Sequence, residues 1–233
     1  MAKTCKPETG KKLFRESDPR DVATFPRPEE HCLVFVRHGE PAFPESDKYY
    51  LGKTDWLLSD KGKIQARCVA DWAKGFSWRG CFCSPLKRAK ETAEIICGAI
   101  DLPLTIKTEL AEIDLGEWDG RKKTEIASAY PEKLRERQED LLYFRHPCGE
   151  SFAELEARVI PFLVPLLQEK GKWLVVSHAG VYRVLIHALF GVPFPMTFGY
   201  DLGYGQIRMF CRTGDYLFVK GFDELMVHLE ELK

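Results

Sequence analysis

Several absences narrow the field before any motif is considered. No apolar run approaches the roughly 18–20 residues of a membrane-spanning helix, which excludes a membrane span and membrane partners. The opening MAKTCKPETGKK lacks the apolar core of a secretion signal, so the expected location is cytoplasmic. Neither sign of charge is in excess: 34 Lys and Arg face 35 Asp and Glu, for a net charge of -1. That balance argues against a dedicated nucleic-acid binder, which carries a basic surplus. The eight cysteines are scattered and form no C-x-x-C pair, so zinc is not expected. They read as reduced thiols that pack as small residues. Internal repeats, low-complexity tracts and linkers are also missing, which leaves a single domain.

What remains is ordinary globular material. Apolar residues make up 45% of the 233, enough to build a core without disulfides or metals. Residues 1–30 are polar and broken by Pro7, Pro19, Pro26 and Pro28, and read as an N-terminal extension. Beyond them, residues 32–36 and 173–176 are apolar runs of strand length. Residues 81–83, 104–106, 206–212 and 216–220 read as further strands. Runs that are apolar throughout point to strands covered on both faces.

Helices alternate with these strands. Residues 63–75 place Ile64, Cys68 and Trp72 on one stripe, and residues 86–100 repeat the pattern with Ala89, Ala93 and Ile96. Ser84 and Pro85 look like the start of the second helix, with Ser84 as its N-cap. Residues 151–169 form a longer amphipathic helix with kinks expected at Pro161 and Pro165. Residues 181–190 form a short apolar helix ended by Gly191. This alternation predicts an α/β fold, a three-layer sandwich in which helices flank a mostly parallel central sheet. Residues 31–233 form its single domain, and residues 114–150 read as a polar helical insertion, a cap over a site. The segment 224–232 reads as an amphipathic tail.

Two of the strands end alike. The first runs into Arg37-His38-Gly39-Glu40 and the later one into Ser177-His178-Ala179-Gly180. Ligands of open α/β sheets bind beyond the carboxyl ends of the strands, so two imidazoles meet at one rim. A third strand ends at Ser84-Pro85, and the helix after it carries Arg88 in its first turn. Two histidines, two arginines and a helix N-terminus suit a phosphoryl group. A neutral imidazole can attack phosphorus, and a second can steady the oxygens in transfer. The leaving oxygen needs a proton, and a carboxylate beside a phosphate dianion holds one more tightly. Glu112, Asp114 and Glu117 are all candidates on these grounds.

The motifs together resemble the histidine phosphatase superfamily, with its phosphoglycerate-mutase-like fold. Arg37-His38-Gly39 is similar to the family's Arg-His-Gly signature. Further matching blocks are Gly52 to Asp55 with Leu58, Ser59 and Gly62, then Ser84-Pro85-Leu86 with Arg88-Ala89 and Thr92-Ala93. Leu110 and Glu112 with Gly116, Trp118 and Gly120 follow, then Gly149-Glu150-Ser151, and finally Ser177-His178-Ala179-Gly180. The resemblance implies a metal-independent phosphatase acting on a small phosphomonoester through a phosphohistidine, without cofactor. It implies that His38 is the nucleophile, that Arg37 and Arg88 bind phosphoryl oxygens, and that His178 completes the pocket. Glu112 becomes the proton donor, and Gly52 and the backbone at Ala179 line the site.

One departure concerns the loop after the first histidine. Pro41 stands where many members carry Thr, and Ala42, Phe43 and Pro44 follow. It alters the loop's substrate contacts and leaves the phosphoryl pocket intact. The short insertion is closer to the broad phosphatase branch, including ribazole-phosphate phosphatases, than to the bisphosphoglycerate-dependent mutases. The alternatives are such a mutase, or a catalytically idle binding module of the same fold. The identity of the phosphoester is not encoded in these motifs, and a homodimer is left open. Arg183, one turn into its helix, reads as structural, and His187 as half-buried packing. His31 reads as a surface residue. His146 is open between packing in the cap and contact with substrate.

Overall fold

The computed structural model describes residues 28–232, so nearly all of the N-terminal extension lies outside the described residues. Seven strands form one sheet: β1 (Cys32–Arg37), β2 (Gly80–Cys83), β3 (Leu104–Ile106), β4 (Lys172–Ser177), β5 (Ile207–Thr213), β6 (Tyr216–Val219) and β7 (Phe222–His228). Their spatial order is β3-β2-β4-β1-β5-β6-β7. The half from β3 to β1 is parallel, while β5, β6 and β7 pair antiparallel. The sheet is therefore mixed. The parallel half comes from helical crossovers, and the antiparallel half from short turns between consecutive strands.

Among the described residues six α-helices accompany the sheet: α1 (Asp60–Ala73), α2 (Lys87–Ile100), α3 (Lys123–Ala129), α4 (Pro131–Glu139), α5 (Phe152–Gln168) and α6 (Ala179–Phe190). Alternate residues of β1 serve two cores. Cys32, Val34 and Val36 pack with α1 and α2, whereas Leu33 and Phe35 pack with α5 and α6. Burial on both faces explains the unbroken apolar run. Burying each such side chain contributes about 1.5–3 kcal/mol.

Local chemistry sets the helix ends. Ser151 caps α5 with a capping box: its hydroxyl accepts from the Glu154 N–H, and the Glu154 carboxylate accepts from the Ser151 N–H. Pro161 and Pro165, read as kink points, lie inside α5 without ending it. Gly191 ends α6 in the left-handed conformation at φ 64°.

Two expectations change and two readings left open are resolved. Residues 224–232 belong largely to β7, an edge strand that alternates exposed Glu224, buried Leu225 and exposed Met226. The amphipathic pattern there has the period of two of a strand. Ile64 is exposed, because the buried stripe of α1 runs through Ala66, Val69, Ala70 and Ala73. Ser84 does not cap α2, whose N-cap is Leu86 with no side-chain bond. His146 is buried against Trp118 and Phe144, and its Nδ1 bonds the Glu150 carbonyl, so it packs and does not reach a ligand.

Cys32 and Cys211 face each other across β1 and β5 with their Sγ atoms 3.1 Å apart, as free thiols. Among the described residues no helix is long and apolar enough to cross a membrane.

Candidate active site

β1, β2 and β4 are adjacent and parallel, so their carboxyl ends share one rim. His38 follows β1, Ser84 follows β2 and His178 follows β4. The topology thus brings both histidines together, with ring centroids 5.0 Å apart. Arg88 enters from the first turn of α2, and Glu112 from the segment after β3.

His38 is 3% exposed. Its Nδ1 lies 2.8 Å from the Gly39 carbonyl oxygen, which can only accept, so Nδ1 carries the proton. Nε2 then holds a lone pair, toward which Arg88 Nε–H donates at 3.3 Å. Burial, then the charges of Arg88 and Arg37, hold its pKa well below the usual histidine value. The result is a neutral imidazole with an unprotonated nitrogen facing a cation.

His178 is fully buried and likewise held neutral, by burial first and then by Arg88, His38 and Arg37. Its Nε2 sits 2.7 Å from Ser84 Oγ, while Ser84 Oγ accepts from the Leu86 N–H at 3.2 Å. The hydroxyl can donate to Nε2 while it accepts from Leu86, an arrangement that places the imidazole proton on Nδ1. Nδ1 is buried and has no partner among the described residues. It is the donor left for an oxygen entering between the two rings.

Arg88 is fully buried. It donates from Nη1 to the Thr54 carbonyl at 2.8 Å and from Nη2 to the Gly52 carbonyl at 2.6 Å. Gly52 thus reaches the pocket through its carbonyl, which fixes Arg88. Asp119 locks that loop, accepting from the Gly52 and Thr54 N–H groups at 2.7 and 2.6 Å. Arg37 donates to the Leu202 carbonyl at 2.6 Å and stacks over the Tyr204 ring at 3.9 Å. Its Nε is buried without a partner among the described residues.

Glu112 is 7% exposed. Its carboxylate accepts from the Ile113 N–H and from the Gly180 N–H, both at 3.0 Å. The second bond ties it to the first turn of α6, two residues past His178. Ala179, the first residue of α6, lies at the same rim. The other two carboxylates left open by the sequence point elsewhere: Asp114 pairs with Lys53 at 2.8 Å, and Glu117 accepts from Tyr130 at 3.4 Å. Arg183 stacks on Phe198 and pairs loosely with Asp201.

Sequence reasoning missed three contributors. Tyr204, in the turn before β5, lies 5.4 Å from His38 ring to ring. Arg158 of α5 donates to the carbonyls of Glu109, Ala111 and Glu112 at 2.7, 2.9 and 3.1 Å, fixing the strap that carries the carboxylate. Glu150 holds Arg158 and also accepts from the Asp114 N–H. Glu150 stood in a quoted motif, a signal that assigned it no role. Ser84 was seen, but as a helix cap. Among the described residues no cluster of three or more His, Cys, Asp or Glu side chains is arranged to hold a metal ion.

Comparison with known proteins agrees with this geometry. Residues 33–223 match the family described as the histidine phosphatase superfamily, branch 1. The chain is 34% identical over 162 residues to the uncharacterized phosphatase PhoE of Bacillus subtilis, covering 69% of this chain and 78% of that protein. It is 34% identical over 184 residues to phosphoserine phosphatase 1 of Hydrogenobacter thermophilus, covering 76% of this chain and 86% of that one. The crystal structure of a putative alpha-ribazole-5'-P phosphatase from Escherichia coli superposes with a TM-score of 0.71 at 25% identity, over 86% of this chain and 95% of that chain. The chain belongs to the histidine phosphatase superfamily, branch 1, and is an enzyme of the phosphoric monoester hydrolase class.

Proposed function

We propose that the protein hydrolyses a small phosphomonoester in two steps through a phosphohistidine at His38. The observation that carries this reading is the tautomer of His38: Nδ1 is committed to the Gly39 carbonyl, and the lone pair of Nε2 faces Arg88. In the first step Nε2 forms a bond to phosphorus as the ester P–O bond breaks. Glu112, as the carboxylic acid, gives its proton to the departing alkoxide. In the second step water attacks phosphorus, its proton passes to the Glu112 carboxylate, and the P–N bond breaks to free phosphate and His38.

Arg37, Arg88 and the Nδ1–H of His178 neutralise the charge spread over the equatorial oxygens. The first turn of α6 adds its partial positive charge beside them. Residues 31–233 act as one catalytic domain in this reading, with 114–150 as a cap. The placement of Lys123 and Thr124 on a cleft that begins at Glu40 supports the cap.

Phosphate release from a panel of phosphomonoesters in EDTA tests the proposal. The panel includes phosphoserine and a ribazole phosphate, after the names of the relatives. Release is expected in EDTA, and His38→Ala abolishes it. Rapid quench in alkaline detergent with a labelled ester traps a phosphoenzyme, stable in base and lost in acid, in the wild type only. Turnover that persists in His38→Ala overturns the mechanism.

A further inference from the structure

An array of aromatic rings begins at the nucleophile and runs outward. The Tyr204 ring lies 5.4 Å from His38, and Phe43 lies 6.3 Å from Tyr204. Phe43 stacks on Tyr49 at 5.8 Å with an interplanar angle of 11°, and meets Trp56 edge-on at 5.4 Å. Tyr49 and Trp56 close the group at 5.2 Å. All four aromatic residues are half-buried, and Arg37 lies over the Tyr204 ring at 3.9 Å.

The rings are held in place from below. Pro41 bridges Leu58, and the Ala42 N–H donates to the Leu57 carbonyl at 2.9 Å, so the loops carrying Phe43 and Trp56 lie side by side. Phe43, but neither Trp56 nor Tyr204, also lines an open cleft of about 1040 Å³ whose wall includes Glu40, Pro41 and Lys123. That volume far exceeds a phosphate and matches an organic ligand. Its charged rim has Glu40, Glu45, Asp47 and Asp60 against Lys48 and Lys123, so no surplus of cations awaits a second anionic group.

We infer that the rings of Phe43, Trp56 and Tyr204 form a subsite for an aromatic leaving group, so that the preferred substrates are phosphomonoesters of alcohols bearing a planar ring. This rests on the phosphatase reading above and names its substrate class. Offset and edge-on contacts favour a further ring over an alkyl chain of equal area. Because the ring contacts stay the same as phosphorus is transferred, they strengthen binding and leave the chemical step unchanged. The preference therefore appears in KM. In the sequence, this is the loop in which Pro41, Ala42 and Phe43 depart from the family pattern.

The test compares 2-phenylethyl phosphate with hexyl phosphate, whose alcohols are close in size and basicity. The wild type should favour the phenyl ester roughly fivefold in kcat/KM, through KM. In Phe43→Leu the ratio should fall towards one. If that variant does not fold by circular dichroism, Trp56→Leu removes the neighbouring ring and is expected to act likewise. Calorimetry with 2-phenylethylphosphonate and hexylphosphonate reads the same preference without turnover. Turnover with equal kcat/KM for the two esters, or a preference unchanged in both variants, overturns the subsite alone. Tighter binding of 2-phenylethylphosphonate than of hexylphosphonate, with no hydrolysis of any ester, supports the subsite and overturns the phosphatase reading.

Discussion

A methyl group on Gly180 would lie 2.1 Å from Oε1 of Glu112, well inside contact distance. The carboxylate reaches the Gly180 N–H only because nothing projects there, so the glycine is needed for close approach. Gly180→Ala must push Glu112 away from the position at which, in the proposed mechanism, it meets a leaving oxygen. A displacement of about 1 Å costs on the order of a hundredfold in rate. The same substitution lies within α6, where alanine is a better helix former than glycine by about 1 kcal/mol. Activity and helix preference should therefore move apart: kcat falls about a hundredfold, while the urea midpoint changes little. A variant with kcat within twofold of wild type would show that Glu112 needs no such placement. Ser84 makes a second residue-scale case. Its hydroxyl lies 2.7 Å from Nε2 of His178, and by donating there it favours the tautomer with the proton on Nδ1. Ser84→Ala lets the proton occupy either nitrogen, which weakens the donor that the proposed mechanism gives to the transferring group. We expect roughly a tenfold loss in kcat with KM nearly constant, less than the loss of a whole oxyanion donor. Steady-state kinetics on one ester suffice to check it.

At the scale of elements, α5 acts on the site through Arg158. Its guanidinium gathers three carbonyls of the strap from Glu109 to Glu112, and Glu150 holds it in place. Arg158→Lys keeps the charge but loses the planar fork that serves several acceptors at once. Stability should fall by about 1–2 kcal/mol as these bonds are lost. The measurement that separates positioning from mere folding is kcat at a temperature where the variant is fully folded, where we expect a drop of about tenfold. The helices and central strands were legible in the sequence for physical reasons. β1 and β4 are buried on both faces, so their apolar runs are continuous, and His38 and His178 stand directly at their ends. β7 was not legible, because an edge strand buries only alternate residues such as Leu225, and a short amphipathic stretch fits two periods. Ser84 carried a true signal with the wrong partner. A serine before proline and a helix suggests a cap, yet α2 starts three residues later and the hydroxyl is spent on an imidazole distant in sequence. Tyr204 and Arg158 owe their importance to residues that only the folded chain brings near, and no local pattern marks them.

For the whole molecule, the same burial that prepares the site makes the fold sensitive to acid. His38, His178 and His146 are buried and held in the neutral form. For His146, burial is the leading cause; the Glu150 carbonyl opposes it, Arg137 adds to it, and the pKa comes down to about 4. The unfolded chain takes up these protons near pH 6.5, the ordinary histidine value. Between the two values the unfolded state binds more protons, so stability falls as pH falls. The contribution of neutral His146 is complete above about pH 6.5 and is lost as pH drops towards about 4. It amounts to about 2 kcal/mol between pH 7.5 and 5, and His38 and His178 add in the same direction. Glu156 works the opposite way, since burial raises its pKa and protonation favours the folded state, but it is only half-buried beside His187. The histidines outweigh it in number and in depth. Urea unfolding at pH 7.5, 6 and 5 should show the midpoint falling steadily, and His146→Gln should reduce the slope by about one proton. A midpoint that holds constant from pH 7.5 to 5 would mean that these imidazoles already carry protons in the folded state, and the neutral nucleophile assigned to His38 would fall with it.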